Sequence, residues 1–193
     1  MNRILLITTL IFLFSCNSSE KKAESSPVEE RAEGIVSYSE VFDASFENVL
    51  NRYYALRDAL VASDAAAADN AANGLIQSVG ELKWDELKSV DTSNIIIPTA
   101  QTYTGGIDSE SKGLVGETDI ENKRKSFQMI SGNLFDLART VRYGKHKLYL
   151  LHCPMAFDNA GADWLSSTTD IKNPYFGDKM LTCGAVKDSV VLR

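Results

Sequence analysis

The chain is short of the residues from which most active sites are built. It has two histidines and three cysteines in 193 residues. It has no G-x-S-x-G turn for a serine nucleophile, no glycine-rich phosphate loop after a strand and no H-E-x-x-H zinc helix. A C-x-x-C-H for covalent haem is missing as well. Positive charge is scarce, with 20 Lys and Arg against 26 Asp and Glu, a formal net charge of −6. A surface of that sign repels phosphate, which argues against nucleic acid as a partner. Beyond the N-terminal segment no apolar run is long enough to cross a bilayer. These gaps leave little room for catalysis, and the chain is not expected to be an enzyme.

What remains is concentrated near the C-terminus. His152-Cys153-Pro154-Met155 and Met180-Leu181-Thr182-Cys183 hold every cysteine outside the N-terminal segment, each with a methionine within three residues. Thiolate and thioether are soft donors, and together they select Cu(I)-like ions over Mg²⁺ or Ca²⁺.

The first residues read as an export signal. Arg3 supplies the positive start and Ile4 to Phe14 an apolar run too short to span a membrane. Leu13-Phe14-Ser15-Cys16 resembles a bacterial lipobox, which makes residues 1–16 a lipoprotein leader and Cys16 the lipidated first residue of the mature chain. Asn17 behind it does not look like an inner-membrane retention signal, which points to the outer membrane of the cell envelope. Residues 17–35 are rich in Ser, Glu, Lys and Ala. They cannot bury enough apolar surface to fold and read as a tether.

Residues 36–193 are one domain's worth of chain, able to form a core without staples. Phe42, Phe46, Val49, Tyr53, Leu56 and Leu60 recur in steps of three and four, predicting a helix from Ser39 to Ala62. Asp64 is a good N-cap for a second helix, Ala65 to Leu82, whose alanines favour close approach to a neighbour. A third strong helix runs from Thr118 or Asp119 to Val141, with Phe127, Ile130, Leu134 and Leu137 as its apolar stripe and Gly144 as its C-cap. Lys123, Arg124 and Lys125 read as its solvated face. Between the second and third helices, Pro98 and a Gly-, Ser- and Thr-rich stretch from Thr102 to Gly116 read as a long loop. After Gly144 the period changes to that of strands and turns: Lys147 to Cys153, a turn at Asp158–Gly161, another at Asn173–Gly177, and a last strand from Val186 to Leu192. The expected fold is mainly α: an up-and-down bundle of three to four helices, with a C-terminal segment of short strands and turns, about 147–193, that carries the site.

The stretches Cys-Pro-Met-Ala-Phe-Asp-Asn-x-Gly-Ala-x-Trp-Leu-Ser at 153–166 and Asn-Pro-Tyr-Phe-Gly-Asp-Lys-Met-Leu-x-Cys-Gly at 173–184 resemble the family known as domain of unknown function 3347. Tyr-Tyr-Ala-Leu-Arg-Asp-Ala-Leu at 53–60 and Asp-Ile-Glu-Asn-Lys-Arg-Lys-Ser-Phe at 119–127 agree with it, while Ile95 to Gly116 departs from its pattern. Such domains occur as exported lipoproteins and fused to the periplasmic adaptors of heavy-metal efflux pumps. The resemblance therefore implies handling of Cu(I) or Ag(I), with an efflux adaptor or another envelope protein as partner.

The residues themselves leave two readings open. In an extended segment Cys153 and Met155 share a face, and in a helical turn Met180 and Cys183 are neighbours. Brought together, the two pairs make a four-sulfur cage for Cu(I), with His152 as an optional fifth donor. Zinc would waste the thioethers. The competitor is a Cys153–Cys183 disulfide, allowed in an exported protein. It would close a loop of about thirty residues and stabilise the fold by roughly 3–4 kcal/mol. The domain would then be an interaction module without metal, using a helical face or the 102–116 loop. A Cys153 nucleophile with His152 as its base is badly placed, since adjacent strand residues point apart. His146, between Lys145 and Lys147, reads as an exposed turn residue. Trp164, Tyr175 and Phe176 read as packing the C-terminal segment onto the bundle.

Overall fold

The first helix begins where Ser39 turns its hydroxyl to the Phe42 N–H at 3.2 Å, and α1 runs Glu40–Val61. Its apolar stripe, Phe42 to Leu60, is fully buried. Asp64 caps α2, Ala65–Gly80, by accepting from the Ala67 N–H at 2.9 Å. The wholly buried Ala68 and Ala72 let α2 lie close against its neighbours. A short 3-10 turn, Trp84–Leu87, follows.

The stretch expected to be a loop is the third helix, α3, Ile96–Gly116. Its start is capped from a distance. The Asp91 carboxylate accepts from the N–H groups of Ile95 (2.8 Å), Ile96 (3.0 Å) and Ile97 (2.9 Å). Burial pushes this carboxyl up, but the bonds from Ile97, Ile96 and Ile95 outweigh it and hold the group below its ordinary value. Pro98 does no harm, because in the first turn its missing N–H has no intrahelical acceptor. The buried face is Ala100, Thr104, Ile107, Ser111 and Leu114. Those are helical steps, but only Ile107 and Leu114 are large and apolar, and Gly106 faces Asn133 of the next helix so closely that a Cβ would sit 2.7 Å from the Asn133 side chain.

Asp119 caps α4, Ile120–Thr140. That helix ends at Val141 and Arg142, which takes a positive φ, so the expected cap at Gly144 is not used. Two of the three basic residues expected on a solvated face are buried: Lys123 and Arg124 are each 1% exposed. Successive helical residues point about 100° apart, so a run of three cannot share one face. Lys123 reaches Asp69 on α2 and the Leu114 carbonyl at 2.9 Å. Arg124 bonds the carbonyls of Leu60 (3.1 Å) and Pro174 (2.8 Å), the Ser63 hydroxyl (2.9 Å) and Glu121 (2.6 Å). Both buried cations are thereby satisfied. Lys125 is exposed as expected.

Consecutive helices pack on one another, and α4 also packs on the sheet. The sheet has three antiparallel strands in the order β2-β1-β3, where β1 is Leu148–Cys153, β2 Ala162–Ser166 and β3 Ala185–Val190. Opposite Leu150 and Leu151 the β3 register shifts, leaving Lys187 unpaired. Tyr53 ties bundle to sheet: its hydroxyl lies 2.7 Å from Ser131 on α4 and accepts the Leu165 N–H of β2 at 3.0 Å. The molecule is thus mainly helical, with a small antiparallel sheet and turns at its C-terminal end.

This computed structural model describes residues 39–190. They fall within one unit, Glu33–Arg193. The leader, Cys16, the tether and the last two residues of the expected final strand lie outside the described residues. No helix among the described residues is long and apolar enough to cross a membrane.

Candidate metal centre

Cys153 ends β1, fully buried. Pro154 cannot continue the ladder, and the chain leaves the strand there. Met155 is therefore not extended, as the same-face argument required, but in the helical region, with its side chain 45% exposed. Next come Phe157, Asp158 and Asn159, all with positive φ (52°, 57° and 69°). Three successive left-handed residues other than glycine are costly. Packing of Phe157 edge-on to Tyr175, at 5.4 Å between centroids, helps to hold them.

Cys183 arrives from the other side. Met180 to Cys183 form a β-turn, closed by the Cys183 N–H to the Met180 carbonyl at 3.0 Å. The expected helical turn is absent, but the three-residue spacing still brings the two residues near each other. Gly184 then passes so close to Trp164 and the His152 carbonyl that a Cβ would lie 2.8 and 2.9 Å from them, at a φ of 148°. Only glycine fits there.

The turn is held by Asn173, which is 0% exposed. Its backbone N–H donates to the Leu181 carbonyl at 2.8 Å. Its amide donates to the Cys183 carbonyl at 2.9 Å and accepts from the Tyr175 N–H at 2.8 Å. Arg124 fixes the next residue, Pro174, through its carbonyl. Tyr175 rests on Phe127 of α4 and on Trp164, at 6.0 Å between centroids in both cases.

The outcome is that Cys153 Sγ and Cys183 Sγ stand 3.1 Å apart as free thiols. Cys183 is pushed above its ordinary value, first by the hydrogen bond it shares with Cys153 and then by burial. The separation lies between that of a disulfide, about 2.05 Å, and about 3.7 Å, the spacing of two sulfurs sharing one tetrahedral ion. A small displacement of the half-exposed turn reaches either. Neither Met155 nor Met180 belongs to the apolar core. Both are close to the thiols in sequence, Met180 on the Cys183 turn and Met155 two residues past Cys153. Two thiols joined by a thioether would be a donor set suited to a soft monovalent ion. No group of three or more His, Cys, Asp and Glu suited to a metal occurs among the described residues.

His152 does not join the cysteines. Strand alternation turns it to the opposite face from Cys153. There its Nδ1 lies 2.6 Å from Asp163, its cross-strand partner on β2. Lys187 holds the other oxygen of Asp163 at 2.7 Å. His146 is exposed and faces Glu47 at 3.3 Å. Sequence reasoning missed Asn173, which it read as turn chemistry alone, and Asp163, whose pairing with His152 appears only once the strand register is known.

A helical bundle carrying a small antiparallel sheet, with paired thiols where the sheet meets its last loop, defines the class of molecule. The chain belongs to the family described as "protein of unknown function (DUF3347)", whose model matches residues 49–146, half of the chain. The match runs from within α1 through α4, includes Ile95 to Gly116, the segment read as departing from the family's pattern, and stops before β1 and both cysteine motifs. No curated protein and no solved structure matches the chain.

Proposed function

We propose that this protein binds Cu(I) or Ag(I) through Cys153 and Cys183, with Met180 and Met155 as thioether donors, and buffers or passes on the ion as a chaperone. The observation that carries this reading is the 3.1 Å approach of two free thiols flanked by methionines that the core does not use. Methionine buried for packing alone would sit in the core. Cys153 is buried and fixed by the sheet, while Cys183 rides on a half-exposed turn. One rigid and one accessible donor suit an ion that must be released. Both thiols give up their protons on binding, and because the Cys183 thiol is raised that step is harder than for an ordinary cysteine, so binding strengthens as the pH rises.

The resemblance of Leu13-Phe14-Ser15-Cys16 to a lipobox supports a lipid anchor for this activity in the cell envelope, at the outer membrane. The family resemblance makes an adaptor of a heavy-metal efflux system the partner to test first. The same thiol approach also favours a second reading, an interaction module locked by a Cys153–Cys183 disulfide.

Anaerobic titration of the reduced mature chain with Cu(I) against a competing chelator separates the two. Tight one-to-one binding is expected, weakened at least a hundredfold by Cys183→Ser and about tenfold by Met180→Leu, in line with soft-donor selection. Failure to compete with the chelator sinks the metal reading and leaves the disulfide-locked module.

A further inference from the structure

We propose a second soft-ion site on the opposite face of β1, in which the Nε2 of His152 and the thioether of Met129 bind Cu(I) or Ag(I). The inference deepens the proposed function and rests on it for the identity of the ion, but its donors are different. A cleft of about 460 Å³ opens between α4 and the sheet, lined by Met129, Asn133 and Asp136 on one side and His152, Gly161 and Asp163 on the other.

The imidazole is prepared as a ligand. Asp163 lies 2.6 Å from Nδ1 and is itself held by Lys187 at 2.7 Å and, through its backbone carbonyl, by the Tyr175 hydroxyl. A carboxylate fixed in this way keeps the proton on Nδ1 and leaves the lone pair on Nε2, the second partner that orients metal-binding histidines in general. Among the described residues Nε2 has no hydrogen-bond partner, and it is not among the buried unpaired polar atoms, so it is open to the cleft. Gly161 keeps it so, because a Cβ there would stand 2.7 Å from Cε1 and 3.1 Å from Nε2.

The second donor is unusual for its place. Met129 is 53% exposed on α4, and its own carbonyl is engaged by Asn133 at 2.9 Å. It packs no core, and it lines the same cleft as the free imidazole nitrogen. Imidazole with thioether favours copper-like ions, and of the two carboxylates lining the cleft Asp163 has both oxygens engaged, by His152 and Lys187. His152 and Cys153 are consecutive, so the two sites lie on either side of one strand.

The test uses the mature chain, ¹⁵N-labelled at histidine, with its two thiols removed from play in two ways: by Cys153→Ser with Cys183→Ser, and in the unsubstituted chain by diamide oxidation to the disulfide. Ag(I) is added as a redox-inert probe and the imidazole nitrogens are followed by NMR. The expected result in both preparations is a one-equivalent shift of His152 Nε2 with His146 unmoved, and at least a tenfold loss of affinity in Met129→Leu. If His152 stays unmoved while the reduced native chain still binds one equivalent, the cleft site is overturned and the cysteine site stands. If neither preparation nor the native chain binds, both fall.

Discussion

From residue 40 to 140 the chain is held by repetition, and from 148 to 190 by a smaller apolar face together with single bonds. The bundle buries a stripe on each helix, and many residues share the load. The C-terminal segment adds Leu148, Leu151, Trp164 and Leu165 to the same core but positions its turns through a few polar groups: Asn173 for the Cys183 turn, Arg124 for the loop before it, and Tyr53 for β2. Burial of apolar area is non-directional and tolerates small shifts, whereas a hydrogen bond fixes position to a few tenths of an ångström. The arrangement assigns the scaffold to the first kind of force and the thiols to the second. The family match follows the same division, since it spans the bundle and ends before the sheet.

The largest expected effect comes from breaking the joint between the regions. Arg124→Ala strands the Pro174 carbonyl, leaves the Leu60 carbonyl only its bond from the Ser63 N–H and takes the Ser63 hydroxyl's partner away, so a loss of about 3–5 kcal/mol is expected by urea denaturation. A loss below about 1 kcal/mol would mean that the two regions are held together by apolar packing after all. Asn173→Ala should cost less, about 1–3 kcal/mol for the unpaired Cys183 carbonyl and Tyr175 N–H. Its mark is selective: Cu(I) affinity should fall while the helical circular dichroism is kept.

The smallest effect sharpens the comparison from inside the bundle, at the one helix that depends on a distant side chain. Asp91 is held below its ordinary value, so its contribution is present at neutral pH and is lost as pH falls through that lowered value, below about pH 4. Asp91→Asn, which keeps one acceptor oxygen, should lower the Tm modestly at pH 7, and the gap from the native chain should close on acidification. A gap that stays constant down to pH 3 would show that the carboxylate's charge does not hold the start of α3.

The helices α1, α2 and α4 were legible because apolar residues recur at three and four, with alanines at the start of α2. α3 was not, although its buried positions obey the same spacing. Thr104 and Ser111 occupy them in place of apolar residues, Gly106 is there for closeness to α4, and the cap comes from Asp91, outside the helix. Lys123 and Arg124 were misread for a related reason. A buried charge is recognisable only through its partners, which lie 54 residues away at Asp69 and 50 at Pro174. At the site, both readings of the sequence, the four-sulfur cage and the disulfide, required Cys153 and Cys183 to meet, as they do. The separation of His152 from them follows from alternation along β1, but its Asp163 partner depends on which strand pairs with which.

The closeness of Gly184 to the Trp164 ring has an optical consequence. The chain has two tryptophans, and they divide between the two regions. Trp84 lies 6.3 Å from Phe42 in the bundle, while Trp164 lies against the residue that follows Cys183. Thiolates, disulfides and copper quench an excited indole to different degrees. With Trp84→Phe, the emission of the chain would come from a single fluorophore beside the sulfurs, and its brightness would indicate whether they are reduced, bonded or loaded.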